Sequence, residues 1–403
     1  MNILFIHQNM PGQFKHLAAR LAEQPGNQVV FLTHREGGDL PNVRRVTYGM
    51  PRSAGEKTHF YIRLFEESVI YGQAVVRACL KLAQEGFRPD VIVAHPGWGE
   101  ALFLKDIYPQ VPLLNFCEFY YHGRGADIGF DRDEDTSIDV ILRARARNAH
   151  LLLSLEACDA GLAPTRWQKS VHPKPLQNKI RVIFDGIDTD YMAPDPAATV
   201  TLADGRTLSR ADEIVTFAVR NLEPQRGFPN FIRALPRLLE LRPNARVLVV
   251  GGDEVSYGPR AEAGKSWREV MLAQVPLDLS RVHFLGKLPY DRYRSVLQIS
   301  SAHIYLTRPF VLSWSCVEAL SVGCVVIGSR TPPVQEVIAD GLNGYLVDYH
   351  SPAEIAEKTA EVLAAGPALD RMRRRARETV LDRYSLAKCL PAQLRLVREV
   401  AGR

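Results

Sequence analysis

Two arginines in one segment are the clearest chemical feature of the sequence. An apolar run that begins near Ile214 leads to Arg220, and Arg226-Gly227 follows six residues later, before a helical pattern. Guanidinium groups bind phosphate oxygens through charge-assisted, often bidentate hydrogen bonds. Two of them in one loop therefore suit a diphosphate, although a pair of loop arginines taken alone is also typical of an ordinary surface.

A glycine occupies a comparable place after the first apolar run. Ile3 to Ile6 is followed by His7-Gln8-Asn9-Met10-Pro11-Gly12 and then by a helical pattern. Glycine lets the backbone approach a ligand closely, and a helix start offers free N–H groups to an anion. The segment contains no G-x-G-x-x-G, which argues against a dinucleotide, and a simple turn explains Gly12 equally well.

The elements that must position these loops are short apolar runs that alternate with helical patterns. The runs predict buried parallel strands in the first half at 3–6, 29–32, 91–94, 113–116 and 151–153. A second series predicts strands near 214 and at 246–250, 282–285, 304–306 and 325–327. Because parallel sheets bind ligands at the carboxyl ends of their strands, the loops with Gly12 and the two arginines are placed to bind one.

The sequence predicts an α/β protein with two doubly wound halves. Its 403 residues allow two or three domains. Prolines and glycines between 193 and 206 break both periods and predict a linker there. We therefore expect one domain over 1–195, a second over 207–370, and a basic helical tail over 371–403 that packs back on the first domain.

Near the end of the second domain, Ser351 to Glu354 has the pattern of a helix N-terminus with Pro352 at its first position.

The order of the motifs resembles the retaining, nucleotide-sugar-dependent glycosyltransferases of family 4. The resemblance covers nearly the whole chain, is strongest over 214–350, and rests in the first half on Pro11-Gly12 and on 184–188. The blocks that carry it in the second half are Arg220…Arg226-Gly227, Val250-Gly251-Gly252-Asp253, Phe284-Leu285-Gly286, Val317-Glu318-Ala319-Leu320…Gly323 and Glu336…Asp340-Gly341…Asn343-Gly344. It implies the GT-B fold, which has two Rossmann-like doubly wound domains, a cleft between them, and the nucleotide-sugar donor on the second.

The resemblance also implies roles for single residues. Arg220 and Arg226 would bind the donor diphosphate and stabilise it as the leaving group, and Glu318 would accept hydrogen bonds from the donor ribose. The other donor-binding residues that it implies are Gly12, Gly286, Lys287, Phe310, Val311, Leu312 and Ser313. In such enzymes the leaving phosphate itself is thought to accept the proton of the acceptor, and the anomeric configuration is retained.

Two positions depart from the family pattern. Phe310 stands where the first glutamate of Glu-x7-Glu is expected, and a phenylalanine accepts no hydrogen bond from a sugar hydroxyl. Glu118 stands where the family has a histidine near the donor sugar, with His122 four residues on and His95 after a neighbouring strand. We expect these three residues on the acceptor side, where Glu118 orients the acceptor, acts as its base, or is a structural carboxylate.

We expect neither a cofactor nor a metal. An Asp-x-Asp sequence occurs within Asp131-Arg132-Asp133-Glu134-Asp135, but it lies in a polar stretch, which is typical of a solvated acidic loop. The six cysteines are scattered and favour a reducing compartment, and a formal charge of +5 is too small to indicate nucleic acid. The expected partners are a nucleotide-sugar donor and a glycan, lipid-linked or protein acceptor.

The expected location is cytoplasmic, with peripheral membrane contact left open. The first apolar run reaches His7 without a basic region before it or a cleavage site after it, and no run approaches the ~18 apolar residues of a membrane span. The arginine run at 371–377 predicts a solvated helix face or an anion-binding patch.

The predicted function is retaining transfer of a sugar from a UDP- or GDP-linked donor to an acceptor such as a glycan or glycolipid intermediate. The alternatives are a nucleotide-sugar epimerase or hydrolase and a non-catalytic GT-B subunit.

Overall fold

The structure is a computed structural model that describes residues 1–131, 134–262 and 264–402. It divides into two compact units. One contains residues 1–186 and 387–403, and the other contains residues 187–386. Each unit is built on its own parallel sheet.

The first unit has a seven-stranded sheet. Its strands are β1 (Asn2–Ile6), β2 (Gln28–Thr33), β3 (Val43–Thr47), β4 (Val91–Ala94), β5 (Leu113–Phe116), β6 (Ala160–Ala163) and β7 (Ile180–Val182). Neighbouring strands run parallel in the order β3-β2-β1-β4-β5-β6-β7. The order changes direction between β1 and β4, as it does in a doubly wound Rossmann-type sheet.

Helices cover both faces of this sheet. They are α1 (Lys15–Ala22), α2 (Arg63–Gln84), α3 (Leu104–Ile107), α4 (Ile138–Arg147), α5 (Ala149–Ala157) and α6 (Arg166–Ser170). Successive strand residues point to opposite faces, so Leu4 and Ile6 pack with α2 residues while Ile3 and Phe5 pack with α1 residues. Both faces of the sheet are therefore apolar, which explains why its strands are continuous apolar runs.

The second unit has a hairpin and a six-stranded sheet. The hairpin pairs β8 (Thr199–Thr201) with β9 (Thr207–Ser209) in antiparallel fashion. The sheet strands are β10 (Ile214–Asn221), β11 (Arg246–Gly252), β12 (Val282–Gly286), β13 (Ala302–Tyr305), β14 (Val326–Ser329) and β15 (Tyr345–Val347). They run parallel in the order β12-β11-β10-β13-β14-β15, which changes direction between β10 and β13.

The remaining helices follow in chain order. They are α7 (Phe228–Leu241), α8 (Trp267–Gln274), α9 (Tyr290–Gln298), α10 (Trp314–Ser321), α11 (Pro332–Gln335), α12 (Pro352–Ala365), α13 (Asp370–Arg383) and α14 (Leu386–Val400). The Ser351 hydroxyl accepts the Glu354 N–H at the start of α12, as its sequence predicts. The Glu354 side chain accepts the Asp348 N–H, so the cap is not reciprocal. No helix of the described residues is long and apolar enough to cross a membrane.

The predicted domain boundaries differ from the structure. The chain enters the second unit at Ile187 rather than after 195, because Ile187 bonds through its backbone to Tyr384 and Leu386. Helix α13 belongs to the second unit, and only the final helix packs with the first, where Leu396 and Val397 join the core of Phe5. The tail expected over 371–403 is therefore two helices in two different units.

The predicted linker over 193–206 is wrong. This stretch includes strand β8 and leads into β9, and the hairpin is part of the second unit. Val200, Leu202 and Leu208 are buried in one apolar cluster with Ile214 and Leu248. The prolines that indicated a linker precede a short hairpin, and the glycine lies in its turn. The apolar face of this hairpin is covered.

The strand predicted at Leu151–Leu153 is also wrong, because those residues lie in helix α5. Leu151 and Leu155 are buried four residues apart, whereas Leu152 and Leu153 are 40% and 50% exposed. The buried set thus has helical spacing within an uninterrupted apolar run. The strand comes later, at Ala160–Ala163, where alanine and glycine give a weak apolar signal.

The arginine run of α13 is partly structural. Arg373 donates to the carbonyls of Gly323 and Ser301, and Arg377 donates to those of Ser321 and Met192. These arginines hold α13 against loops of the second unit. Arg371, Arg374 and Arg375 are exposed, so the patch available at this surface is smaller than the sequence indicates.

Candidate active site

In the second unit, the functional loops follow two adjacent strands, β10 and β13. Their onward connections lead to opposite sides of the sheet, because β10 is followed by β11 on one side and β13 by β14 on the other. Such a reversal leaves a crevice at the carboxyl ends of the strands, and ligands of open α/β sheets bind there. The loop after β10 carries Arg226, and the loop after β13 carries Phe310 to Ser313.

Arg226 is buried and joins the two loops. Its Nη1 donates to Thr307 Oγ1 at 2.9 Å and to the Val311 carbonyl at 2.9 Å. The rings of Tyr257 and Phe310 lie 5.5 and 5.8 Å from its guanidinium carbon. Its described contacts include no carboxylate, so nothing described in the second unit neutralises this buried cation.

Gly227 makes this placement possible. Its φ is +69°, and a Cβ there would lie 2.4 Å from Leu306 Cβ. A side chain would therefore push apart the loops that Arg226 joins. Helix α7 begins at the next residue, Phe228, so its N-terminus lies two residues after Arg226.

Arg220 has a different environment from Arg226. It lies near the end of β10 and is exposed. The β10–β11 pairing shifts register between Ala218 and Asn221, so the ladder is irregular at this arginine. The sequence grouped the two arginines as one basic pair, whereas the structure has one buried and one exposed cation.

Glu318, the residue expected at the donor ribose, is buried on α10 and accepts two tyrosine hydroxyls. Tyr290 donates at 2.6 Å and Tyr293 at 2.8 Å, one to each carboxylate oxygen. Burial, together with the Glu318 charge, raises the pKa of both tyrosines. Both tyrosines lie on α9, and the sequence did not indicate them, although their Tyr-x-x-Tyr spacing puts them on one helix face.

The other residues that were expected to bind the donor have the following environments. Gly286 has φ of +65° at the end of β12, and Lys287 pairs with Glu254 at 2.7 Å. Phe310 is only 4% exposed and meets Tyr257 edge to face at 5.2 Å. The Ser313 N–H donates to the Tyr305 hydroxyl at 2.9 Å, so this backbone N–H, which was expected to face the donor, already has a partner.

Glu223 is a residue that the sequence reasoning missed. Its buried carboxylate accepts the N–H groups of Ser256, Tyr257 and Gly258 at 3.0–3.1 Å. It thereby holds the loop after β11 beside the loop after β10. Its position between Arg220 and Arg226, after the end of a strand, is the signal that could have identified it.

In the first unit, a chain of polar side chains lies at the corresponding edge of the sheet. His7 follows β1, His95 follows β4 and Glu118 follows β5. His7 Nδ1 accepts the Asn9 N–H, so its Nε2 donates to Gln13 Oε1 at 2.8 Å. Gln13 then donates to Glu118 Oε1 at 2.8 Å, and His95 Nε2 lies 3.3 Å from Glu118 Oε2.

The protonation states follow from this environment. Burial lowers the pKa of His7 to about 3, helped by the nearby His95, so His7 is neutral at physiological pH. Burial alone would raise the pKa of Glu118, but His95, His7 and Gln13 together hold it below its usual value. Glu118 is therefore an ionised carboxylate whose side chain is 29% exposed.

Gly12 packs against His7. Its φ is +49°, and a Cβ would lie 2.7 Å from His7 Nε2. Glycine is thus required where the chain turns past the imidazole, before the helical turn Gly12–Phe14. The expected approach of this backbone to phosphates stays a prediction.

The structure brings two of the three expected acceptor residues together. His95 and Glu118 are in contact, whereas the described bond of His122 is from Nε2 to the Val171 carbonyl at 2.7 Å. The ring of His122 lies 5.9 Å from that of Tyr120. Its described contacts therefore hold the chain between β5 and α4 rather than extend the carboxylate cluster.

The acidic run does not form a metal site within the described residues. Asp135 accepts the Ser137 N–H, and the described parts of the chain contain no group of three or more His, Cys, Asp or Glu side chains arranged to hold a metal. Arg132 and Asp133 lie outside the described residues.

Two models of known protein families match the chain, one in each half. Residues 25–192 match the model described as glycosyl transferase family 4 group, and residues 203–379 match that of glycosyl transferases group 1. The chain belongs to the family 4-type glycosyltransferases. The resemblance inferred from the motif order is thus confirmed.

Curated relatives match this glycosyltransferase over part of their length. A phosphatidylinositol N-acetylglucosaminyltransferase subunit from Arabidopsis thaliana is 29% identical over 38% of the chain and 32% of its own. A D-inositol 3-phosphate glycosyltransferase of Acidothermus cellulolyticus is 25% identical over 47% and 41%. A phosphatidyl-myo-inositol mannosyltransferase of Mycobacterium tuberculosis is 27% identical over 59% and 57%. The chain thus matches between about a third and three fifths of the length of these relatives.

Solved structures share the fold of this glycosyltransferase. Sucrose-phosphate synthase from Thermosynechococcus elongatus has a TM-score of 0.76 at 16% identity, over 100% of this chain and 99% of that one. Anabaena HepE in complex with UDP and glucose has a TM-score of 0.68 at 14% identity, over 99% and 100%. The two α/β units are therefore those of the GT-B class.

Proposed function

We propose that this glycosyltransferase moves a sugar from a UDP- or GDP-linked donor to a hydroxyl-bearing acceptor, with retention of the anomeric configuration. One observation carries the donor half of the proposal. Arg226 is a buried cation whose described contacts include no carboxylate, and it lies where the strand order of its sheet reverses. A buried charge is costly unless an opposite charge compensates it, and the diphosphate of a nucleotide sugar supplies that charge.

Two further features support a diphosphate at this place. Helix α7 starts at Phe228, two residues after Arg226, and the positive end of a helix dipole favours an anion. Arg220 is exposed and lies near the end of β10, the strand that precedes the loop with Arg226. Its guanidinium can therefore move onto a phosphate when the donor binds. Fixed cations and a helix dipole then stabilise the leaving diphosphate.

Glu318 supports the ribose half of the donor site. A carboxylate has about four lone-pair positions, and the hydroxyls of Tyr290 and Tyr293 each use one. The hydroxyls of a ribose are donors that a carboxylate can accept. The two tyrosines orient the carboxylate before the donor arrives, which lowers the cost of ordering it on binding.

Glu118 supports the acceptor half. It is ionised and held by Gln13 and His95, so it can accept a hydrogen bond from an acceptor hydroxyl and orient it for attack. We assign it this orienting role, with the departing phosphate as the proton acceptor. The relatives named for phosphatidylinositol and inositol phosphate support a glycan or glycolipid intermediate as the acceptor.

The decisive experiment is donor turnover by the purified full chain. UDP- and GDP-linked sugars are each incubated with and without a panel of glycan and lipid-linked acceptors, and the products are followed by mass spectrometry. Acceptor-dependent consumption of one donor, with an α-linked product from an α-linked donor by NMR, is the expected result. We also expect full activity after treatment with a chelator, since the cations of the site are arginines.

Phe310 favours one second candidate, a non-catalytic GT-B subunit. It fills the position of a sugar-binding glutamate with a buried ring packed on Tyr257. A chain that binds a nucleotide sugar but forms no product with any acceptor would support this alternative. Interconversion or hydrolysis of the donor without an acceptor would instead identify an epimerase or hydrolase.

A further inference from the structure

A groove lies in the first unit between the edge strand β3 and helix α2. It encloses about 670 Å³, which is within the size range of small-molecule sites. One wall is Arg44 to Pro51, which is β3 and the chain after it, and the other is one face of α2 from Ala74 to Glu85. None of the residues assigned above to sugar transfer lines it.

The charges that line the groove do not balance. Four basic residues line it, namely Arg44, Arg45, Arg77 and Lys81, and Glu85 is the one acidic residue among its lining. Glu85 pairs with Arg44, and Arg45 pairs with Asp39 at 2.9 Å. Arg77 and Lys81 have no carboxylate partner among the described residues, which leaves an excess of two positive charges.

The two uncompensated cations are next to each other. Arg77 and Lys81 are exposed and four residues apart on α2, so their side chains share one helix face. Like charges at this spacing repel and destabilise a helix. Glu85, one turn beyond Lys81, would relieve the repulsion by pairing along the helix, but its carboxylate is bound to Arg44 across the groove.

The floor of the groove is apolar. Val46 and Met50 on one side, and Ala74, Ala78 and Leu82 on the other, belong to or pack against the core of the first unit. The groove therefore combines an apolar surface with two free cations. A ligand that fits has a compact dianionic group and a body that packs on side-chain carbons.

We propose that this groove is a second binding site, specific for a ligand that carries a phosphate monoester. A monoester is close to doubly charged at neutral pH and has three acceptor oxygens, so it matches the two cations in charge and in hydrogen bonding. A carboxylate carries one charge, so it would compensate one cation and leave the other without a counter-charge. The proposal does not depend on sugar transfer and holds for any activity of the chain.

The test compares two variants with the same change in charge. In the groove variant, Arg77→Gln is combined with Lys81→Gln. In the control variant, Arg371→Gln is combined with Arg375→Gln, which also removes two exposed cations one turn apart on a helix. Binding of glycerol 3-phosphate to each full chain is measured by calorimetry at low ionic strength, and thermal unfolding checks that both variants are folded.

The groove variant is expected to lose one phosphate site, or to bind it at least tenfold more weakly, while the control variant retains the wild-type site. Equal stoichiometry and affinity in the two variants, together with equal binding to vesicles that contain phosphatidic acid, would overturn the proposal. Crystals of the wild-type chain soaked in tungstate give an independent measurement. Anomalous density beside Arg77 and Lys81 supports the site, whereas tungstate at other places only would contradict it.

The source of the phosphate is decided by a parallel experiment. Sedimentation with phosphatidylcholine vesicles, with or without phosphatidic acid, is compared with the binding of glycerol 3-phosphate in solution. Binding that depends on Arg77 and Lys81 only on vesicles with phosphatidic acid identifies a lipid headgroup. Dependence in solution alone identifies a soluble phosphate ester, and dependence in neither assay rejects the site.

Discussion

The guanidinium of Arg226 donates a hydrogen bond to the backbone carbonyl of Val311, 85 residues further along the chain, at 2.9 Å. The same nitrogen binds Thr307 at the start of that loop. Arg226 therefore ties together the loops after β10 and β13, in addition to the donor-binding role proposed for it. We expect its replacement to affect folding as well as the proposed binding of the donor, whereas replacement of the exposed Arg220 should affect only that binding.

We therefore expect Arg220→Gln and Arg226→Gln to differ in stability but not in activity. Each should lower turnover by about 100-fold or more, as loss of a preorganised charge stabiliser does. Arg226→Gln should also lower the free energy of unfolding by about 1–3 kcal/mol, because two loop acceptors lose their donor. Donor turnover and denaturant unfolding are measured on both variants, with Arg233→Gln on the exposed face of α7 as the control. Wild-type turnover in either folded arginine variant would remove that residue from the donor site.

The hydrogen bond between Tyr293 and Glu318 should contribute more to the free energy of unfolding than the one between Tyr290 and Glu318. Tyr293→Phe removes a donor from a buried carboxylate and should cost about 1.5–3 kcal/mol of stability. Tyr290→Phe should cost less, because Tyr290 is 46% exposed and water can replace its hydroxyl. Thermal unfolding of the two variants is the measurement. An equal or larger loss in Tyr290→Phe would contradict this account of how Glu318 is held.

Gly12→Ala should destabilise the chain more than Gly26→Ala. Both glycines have positive φ, of +49° and +79°, so both variants bear a backbone cost of about 1–2 kcal/mol. A Cβ at Gly12 also lies 2.7 Å from His7 Nε2, whereas a Cβ at Gly26 meets nothing within 4 Å. Overpacking should add about 1–3 kcal/mol at Gly12 alone. Equal free energies of unfolding in the two variants would show that His7 does not require this glycine.

Glu100 should make stability depend on pH. It is fully buried near His95, and burial raises its pKa to about 7. Between its ordinary value of 4.5 and about 7 the folded state binds more protons than the unfolded state, so Glu100 lowers stability as pH rises through this window.

Glu100→Gln removes this titration but keeps the shape of the side chain. Relative to wild type, the variant should gain about 1–3 kcal/mol between pH 5 and pH 8. The Trp98 backbone N–H can still donate to the amide oxygen, and the Tyr48 hydroxyl can accept a hydrogen bond from the amide nitrogen. Unfolding by denaturant at both pH values measures the difference, and a pH-independent offset between the two proteins would refute the assignment.

Local sequence patterns predicted most of the two sheets correctly. Strands β4 and β5 begin and end where their apolar runs do, and helix α1 follows its apolar stripe. The edge strand β3 was missed because its sequence, Val-Arg-Arg-Val-Thr, has no apolar run. The strand predicted at 151–153 and the linker predicted at 193–206 were wrong because the rest of the chain, rather than the local sequence, decides which of these residues are buried.

The sequence by itself determined the two α/β units, the family and the order of its motifs, because strand and helix periods and motif spacing are properties of neighbouring residues. Only the tertiary structure decided that Arg226 is buried and Arg220 exposed, and that Gln13 links His7 to Glu118. It alone decided that Arg77 and Lys81 face β3 across a groove while Glu85 is bound elsewhere. These relationships join residues far apart in the chain, and strand order and helix packing set them rather than any local pattern.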